Sequence, residues 1–287
     1  MNKKLIINAD GFGFTKGINK GIIELIEKGV VTSISCNVNF PYIIDLEYIV
    51  KNYPNVSIGL HLNINVGKPV CLSEEVPSLV NESGEFWDNE FNKKLLLRQI
   101  NLSELQKELE AQIIKLQSYG LHISHLDGHQ HKHLLPGYFG VVLKICKKHN
   151  IKRIRCHRKY LIFKNNKNRK LKIILHYLSH PSRIITHSYA RILMKKAEFE
   201  GVAMADRLIT PNLDNSMFLL STWFEILKSL PSGINEIYCH PGYPDDELRK
   251  YAKYVDKRLF EMTVLASPEL LQQIKKEGIQ LISFNQI

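Results

Sequence analysis

The chain has 287 residues, 44% of them hydrophobic and 23% charged, with a formal net charge of +11, which is enough apolar material for one large packed domain or two small ones. No stretch approaches the roughly 18 consecutive apolar residues of a membrane span, and the apolar run Leu5 to Ile7, interrupted by Asn8 and Asp10, is too short for a secretory leader. Five cysteines without a C-x-x-C pair read as reduced thiols and point to the cytoplasm.

In chain order, KLIINA reads as a strand, Lys16 to Lys28 as a helix closed by Gly29 at C′, and VVTSISCNV as the next strand. A helix over Ile43 to Lys51, a strand VSIGLHLNI, a helix over Ser103 to Tyr119, a strand LHISHLD, a helix over Tyr138 to Lys148 and a strand IKRIRC follow. After these come a strand over Val202 to Ile209, a helix from Ser216 to Leu227, the strand EIYCH, helices between Asp245 and Glu277, and a last strand in GIQLISF. Repeated strand-helix alternation predicts a parallel α/β sheet, open or closed into a barrel, in a single domain spanning residues 1–287. Two stretches break the alternation and read as loops or lids over the site face: Asn65 to Glu90, and a basic, partly helical insertion at about 158–200.

The charge is local. From Gly128 to Ala197 there are 18 Lys or Arg and no Asp or Glu, which leaves −7 for the remainder (+11 less 18). Such a segment is either a set of solvated helix faces or a surface for anionic lipid, nucleic acid or a phosphorylated ligand. Nucleic acid is disfavoured, since few aromatics are placed for stacking and no known module is present. Ile173, Ile174, Tyr177 and Leu178 set against Lys170, Lys172 and His176 suggest an amphipathic segment that could rest on an anionic membrane face.

The densest chemistry is HLDGHQHKH, which places His125, Asp127, His129, His131 and His133 at alternate positions. In an extended strand these share one face; a helix through them is disfavoured by Gly128 and Pro136. Imidazoles clustered in this way predict a metal or substrate site in which two or three side chains hold the ion and the others orient them. Asp10 in NADGFG, His61 in GLHLN and His240 in CHPGY likewise end apolar strand runs, and α/β folds build sites at the C-terminal strand edge. GFG is no dinucleotide fingerprint, because the third glycine would fall on Lys16.

The segments INADGFGFTKGINKGI, VTSISCNVN, SIGLHLNINVGKPV, HLDGHQHKHLLPG and YCHPGY together resemble the YdjC-like carbohydrate deacetylases, which include chitooligosaccharide deacetylase and a hopanoid-biosynthesis deacetylase. The likeness covers Leu5 to about Arg155 well and Glu236 to Ile287 more loosely; Arg158 to Glu200 has no counterpart in these motifs. It implies an irregular, TIM-like (β/α) barrel carrying one divalent ion, with His61 and His129 as ligands and Asp10 as general base. The family usually carries two adjacent aspartates, the second a metal ligand, and here Gly11 stands in its place. Asp10 could then swing to the metal, a water could fill the position, or the site could have lost its ion.

The resemblance implies a hydrolase that removes the N-acetyl group from an N-acetylated sugar, an oligosaccharide or a lipid-linked or phosphorylated glycan. Two nitrogens and at most one carboxylate favour Zn²⁺ over Mg²⁺. Asp10 would take the proton of the attacking water and His240, as imidazolium, would protonate the departing amine. His125, Asp127, His131 and Arg155 are expected to contact substrate or orient the ligands. The competing readings are a glycan-binding pseudo-enzyme, motivated by Gly11, and a phosphoester hydrolase. Either a monomer or a homo-oligomer is compatible with the sequence.

Overall fold

A computed structural model of the protein describes residues 2–163, 168–211, 219–252 and 254–287. The first strand, β1 (Lys3–Phe12), outruns its apolar core KLIINA by three residues and delivers Asp10 near its C-terminal end. Thr15 then caps α1 (Lys16–Glu27), accepting a hydrogen bond from the backbone N–H of Ile18, and Ile18, Ile22, Leu25 and Ile26 form its buried face. Gly29 takes the left-handed conformation (φ 72°) predicted for the C′ position, and its N–H bonds the carbonyl of Ile26.

The alternation continues through β2 (Ser33–Cys36), α2 (Leu46–Asn52), β3 (Ser57–Leu62), α3 (Phe91–Leu96), α4 (Leu102–Gln117), β4 (Leu126–Gly128) and α5 (Tyr138–Lys148). Next come β5 (Lys159–Ile162), α6 (Arg169–Ser179), α7 (Ser182–Phe199), β6 (Arg207–Pro211), α8 (Leu220–Ser229) and β7 (Gly233–Cys239). The chain finishes with α9 (Asp246–Tyr251), α10 (Lys257–Leu265), α11 (Pro268–Lys276) and β8 (Ile279–Leu281). The predicted start of α8 at Ser216 lies outside the described residues.

All the strand pairs are parallel, in the order β4-β3-β2-β1-β7-β6-β5, with β8 on β1 below β2. IKRIRC is not the regular strand expected from its sequence. It meets its neighbours only at isolated bridges, Leu126 with Ile154 and Arg153 with Ala203, while the regular strand forms later, as β5. Those bridges curl the sheet shut: Arg155 N–H bonds the carbonyl of Leu126 at 2.9 Å, and Ile154 N–H bonds that of Ala203 at 3.1 Å. The result is the irregular α/β barrel expected from the sequence, its closure made by a few backbone bonds in place of a full ladder.

Apolar side chains on the outer face of the strands pack under the helices in one large cluster. Inside the barrel a small plug of Ile6, Ile282 and Phe284 fills the N-terminal mouth. Phe284 stacks on His125 with ring centroids 3.7 Å apart and planes 12° from parallel. The Asn65 to Glu90 stretch is irregular, as expected, and is tied to α4 by the buried Glu108 carboxylate, which accepts the N–H groups of Val70 and Cys71, each at 2.9 Å. It borders the site face, because Asn65 bonds Gln130 at 3.0 Å and the carbonyl of Asp88 accepts Lys132 Nζ at 3.0 Å.

Replacing the fully buried Phe284 by Ala would open a cavity in the plug and strip His125 of its stacking partner. Urea denaturation should show a loss of about 3–5 kcal/mol.

Candidate active site

Alternate residues of the strands point into the barrel, and toward its C-terminal end they are polar: Asn8 and Asp10 from β1, Ser35 from β2, His61 from β3, Asp127 from β4 and Glu236 from β7. All six are at most 4% exposed. Register places Asp10 beside Ser35 and His61 beside Asp127. His125 fits among them only because position 59 is glycine: a Cβ there would lie 2.2 Å from its Cε1.

Arg155, fully buried at the barrel closure, joins these residues. Its Nη1 and Nη2 each donate to Asp10 at 2.7 Å, Nη1 also reaches Asp127 Oδ2 at 2.8 Å, and Nε donates to Glu236 at 2.6 Å. Asn8 Nδ2 supports Asp10 Oδ1 at 2.7 Å and Ser35 Oγ at 2.8 Å, and Ser35 in turn donates to Asp127 at 2.9 Å. One guanidinium therefore serves three carboxylates.

The ionisation of the group follows from that sharing. Burial alone would raise the Asp10 and Asp127 carboxyls, but Arg155 and His61 together outweigh it, holding Asp10 below its usual range and Asp127 well below. At Glu236 burial outweighs the Arg155 Nε bond and pushes the carboxyl up to about 7. His61 is opposed by burial but raised by Asp127, whose Oδ1 lies 2.8 Å from its Nδ1. That bond fixes the ring and leaves Nε2 as its free donor atom.

His129 stands above this floor, its ring centroid 5.5 Å from that of His61. Burial pushes its imidazole down to about 3, so it is neutral and able to ligate. The extended register expected through His133 ends at Gly128. His129–Leu134 is a tight 3₁₀ segment with Gln130 and His131 in the left-handed region (φ 51° and 56°), so the odd positions part company. His125 is turned down to Phe284, Ser124 and Ser35 and is pushed to about 3 by burial, which makes it a structural support. His131 and His133 gather instead with His157, which sequence reasoning missed: His133 and His157 approach Nε2 to Nε2 at 3.2 Å, and His131 reaches Tyr238 OH at 3.4 Å.

His240 follows β7 on the same rim, its backbone N–H held by Glu261 at 2.6 Å. Burial lowers its imidazole to about 4, and although Asp10 favours the charge, Arg258 and His61 oppose it. The imidazolium expected near neutrality is thus a neutral imidazole here. Glu236 and Tyr238 were also missed, although their period-2 spacing with His240 in EIYCH was a legible signal.

Among the described residues, Asp10, His61 and Asp127 are the group whose donor atoms lie close enough to hold a metal ion, one atom from each within 4.8 Å of the others. One imidazole, oriented by a carboxylate, with a second carboxylate beside it is a donor set that fits a divalent ion; His129, expected as the second nitrogen ligand, is not in this group. Asp127 and Asp10 are each already engaged three times, Asp127 by His61, Ser35 and Arg155 and Asp10 by Asn8 and both terminal Arg155 nitrogens.

A parallel barrel with imidazoles and a pinned carboxylate at its C-terminal rim has the layout of a barrel enzyme site. The chain belongs to the YdjC-like protein family, whose model matches residues 4–276. It is 29% identical to a carbohydrate deacetylase of Geobacillus stearothermophilus over 290 residues, covering 100% of this chain and 98% of that protein. A carbohydrate deacetylase of Thermoanaerobacter pseudethanolicus is 30% identical over 283 residues, covering 99% and 98%. A crystal structure from Enterococcus faecalis V583, described provisionally as a cellobiose-phosphate cleavage protein, matches with a TM-score of 0.78 at 29% identity, covering 100% of this chain and 99% of that one. These alignments run through Arg158 to Glu200 as well.

Between the ordinary carboxylate value of 4.5 and about 7, native Glu236 keeps a proton that the unfolded chain releases, so stability falls as pH rises through that window. Glu236→Gln has no proton to lose. Urea midpoints taken at about pH 5 and about pH 8 should fall less for the variant than for the wild type.

Proposed function

We propose that the protein is a metal-dependent carbohydrate N-deacetylase that hydrolyses the acetamide of an N-acetylated sugar. What carries the reading is Asp10, ionised and held rigid by Arg155, at the barrel rim with His61 and His129, in a chain similar over its full length to carbohydrate deacetylases. His61, His129 and Asp10 would hold the ion, Zn²⁺ before Mg²⁺ for a nitrogen-rich set. Once bound, the ion would polarise the acetamide carbonyl and acidify a water.

The chain's own residues do the remainder. The Arg155 grip keeps Asp10 in one orientation and charged across the neutral range, so it can accept the proton of the attacking water. His240, being neutral, would hand a proton to the departing nitrogen only after receiving the one that Asp10 takes from the water. Asp127 orients His61, and Arg155 acts through Asp10, while Tyr238 and His131 border the substrate side of the network.

A second reading, a glycan-binding pseudo-enzyme, is favoured by Gly11 alone. Acetate release from N-acetylated chitooligosaccharides, with metal content measured on tag-free protein, tests both. Asp10→Asn should lower acetate release by at least about 10²-fold, measured on protein that circular dichroism shows to be folded, since the exchange also weakens the Arg155 pair. Sugar binding without acetate or metal in the wild type would favour the pseudo-enzyme, and phosphate release from sugar phosphates would favour a phosphoesterase.

The same reading gives the basic segment a role: it rests on an anionic membrane face and brings the site to lipid-linked or phosphorylated glycans. Residues 164–167 lie outside the described part. In α6 the apolar stripe is turned outward, with Leu171, Ile174, Leu175 and Leu178 between 55% and 72% exposed, while His176 is buried against the body of the protein. The polar and apolar faces expected from the sequence are therefore partly exchanged. On α7, Ile185 and Ile192 extend the exposed surface, at 73% and 63%. Two copies of so basic a surface repel one another, whereas anionic lipid accepts both the cations and the aliphatic stripe. No described helix is long and apolar enough to cross a membrane.

Vesicles with about one-third phosphatidylglycerol should sediment the protein at about 0.1 M salt, phosphatidylcholine alone should not, and Leu178→Ser with Ile185→Ser should weaken binding at least about tenfold. No binding to anionic vesicles, or a dimer that this double variant dissociates, would overturn the membrane assignment.

A further inference from the structure

Tyr238 stands where the Arg155 network meets solvent. It points inward from β7 between Glu236 and His240, and register sets it beside Asn8 of β1, one inward step short of Asp10. Arg155 lies over its ring, 4.9 Å from guanidinium carbon to centroid, and the imidazoles of His131 and His240 stand near-perpendicular to that ring at centroid distances of 5.4 and 5.5 Å. Asn8, Asp10, Ser35, Asp127 and Glu236 are buried, whereas His129, His131, Tyr238 and His240 are partly exposed. A ligand therefore reaches the network on the side of these four.

Among the described residues the Tyr238 hydroxyl has one partner, His131 Nε2 at 3.4 Å, and His131 Nδ1 is buried with none. A proton on Nδ1 would be a buried donor without an acceptor, a rarer and costlier defect than an unfilled lone pair, so the proton of a neutral ring belongs on Nε2. Nε2–H then donates to the Tyr238 oxygen, and a charged ring would do the same. In both cases the phenol's own hydrogen is uncommitted. The carboxylates beside it are engaged elsewhere, since Asp10 and Glu236 accept from Arg155. Burial raises the phenol above its ordinary value, so the hydrogen stays in place at neutral pH.

We propose that Tyr238 is a catalytic residue whose hydroxyl donates a hydrogen bond to the acetamide oxygen as negative charge develops there. The identity of that oxygen rests on the deacetylase reading; the free donor does not. As water adds to the acetamide carbon, a C–O bond forms, Asp10 takes a proton from the water, and the carbonyl π pair moves onto oxygen. Tyr238 donates to that oxygen without giving up its proton. When the pair returns, the C–N bond breaks and the nitrogen leaves with the proton that His240 delivers. Arg155 over the ring and His131 at the oxygen fix the phenol before the ligand arrives, so little reorganisation is needed as the charge appears.

Tyr238→Phe removes the hydroxyl and keeps the ring against Arg155, so the variant should fold with an unchanged urea midpoint. On N-acetylated chitooligosaccharides its kcat for acetate release should fall at least about 10²-fold while KM stays within about twofold, the split expected of a bond made only in the transition state. Calorimetry supplies a readout without turnover, using the tetrahedral methylphosphonamide analogue of N-acetylglucosamine. The wild type should bind this analogue at least about tenfold more tightly than N-acetylglucosamine itself, and Tyr238→Phe should lose that preference while binding N-acetylglucosamine as before. An unchanged kcat, a loss confined to KM, or equal weakening of both ligands would overturn the assignment. A preference for the analogue that depends on Tyr238, in a protein that releases no acetate, would sink the deacetylase reading and leave the hydroxyl's role as an oxyanion donor standing.

Discussion

Arg155 holds the inside of the barrel together. Its side chain enters at the seam where the sheet closes and donates to carboxylates from β1, β4 and β7, each more than a hundred residues from the others in the chain. Removing it would leave three buried carboxylates with no full countercharge, a loss of several kcal/mol in comparable networks. The same bonds that close the fold also set Asp10 in place. Structural integrity and the orientation of the proposed base are consequently one property of this protein, not two.

The barrel interior is layered by polarity. Ile6, Ile282 and Phe284 seal the lower mouth, His125 and Ser35 form a middle layer, and the Arg155 network lies above, below the rim imidazoles. The apolar plug keeps water out from beneath, which strengthens the hydrogen bonds above it. Burial of this interior also explains why so much of the chemistry is neutral or paired: six of the buried or rim histidines are pushed down, His125, His129 and His133 to about 3, His240 to about 4 and His131 and His157 well below the usual value, and among them only His61, beside Asp127, is raised.

Much of this was legible in the sequence. Period-2 strands ending in Asp10, His61, Asp127 and His240 signalled a site at one barrel edge, and the family motifs ordered them. What escaped was set by tertiary context. IKRIRC has strand composition, yet its neighbours meet it only at bridges, because the chain there turns Arg155 inward to satisfy carboxylates from elsewhere. HLDGHQHKH alternates as a strand should, yet the left-handed backbone at Gln130 and His131 splits it into two groups of imidazoles. Glu236 sits in a segment whose local pattern is that of an ordinary strand, and its partner is visible only in three dimensions.

The contact between Gly59 and His125 reaches into how such a chain can change over time. With the imidazole of residue 125 occupying the volume where a Cβ at 59 would stand, neither position can drift alone: a larger residue at 59 is admissible only after the ring at 125 has been cut back. Cutting it back uncovers Phe284 and deprives Ser35 of a neighbour. A single missing methyl group on the third strand therefore narrows the mutational routes open to the whole inner column of the barrel, from its sealed base to its reactive mouth.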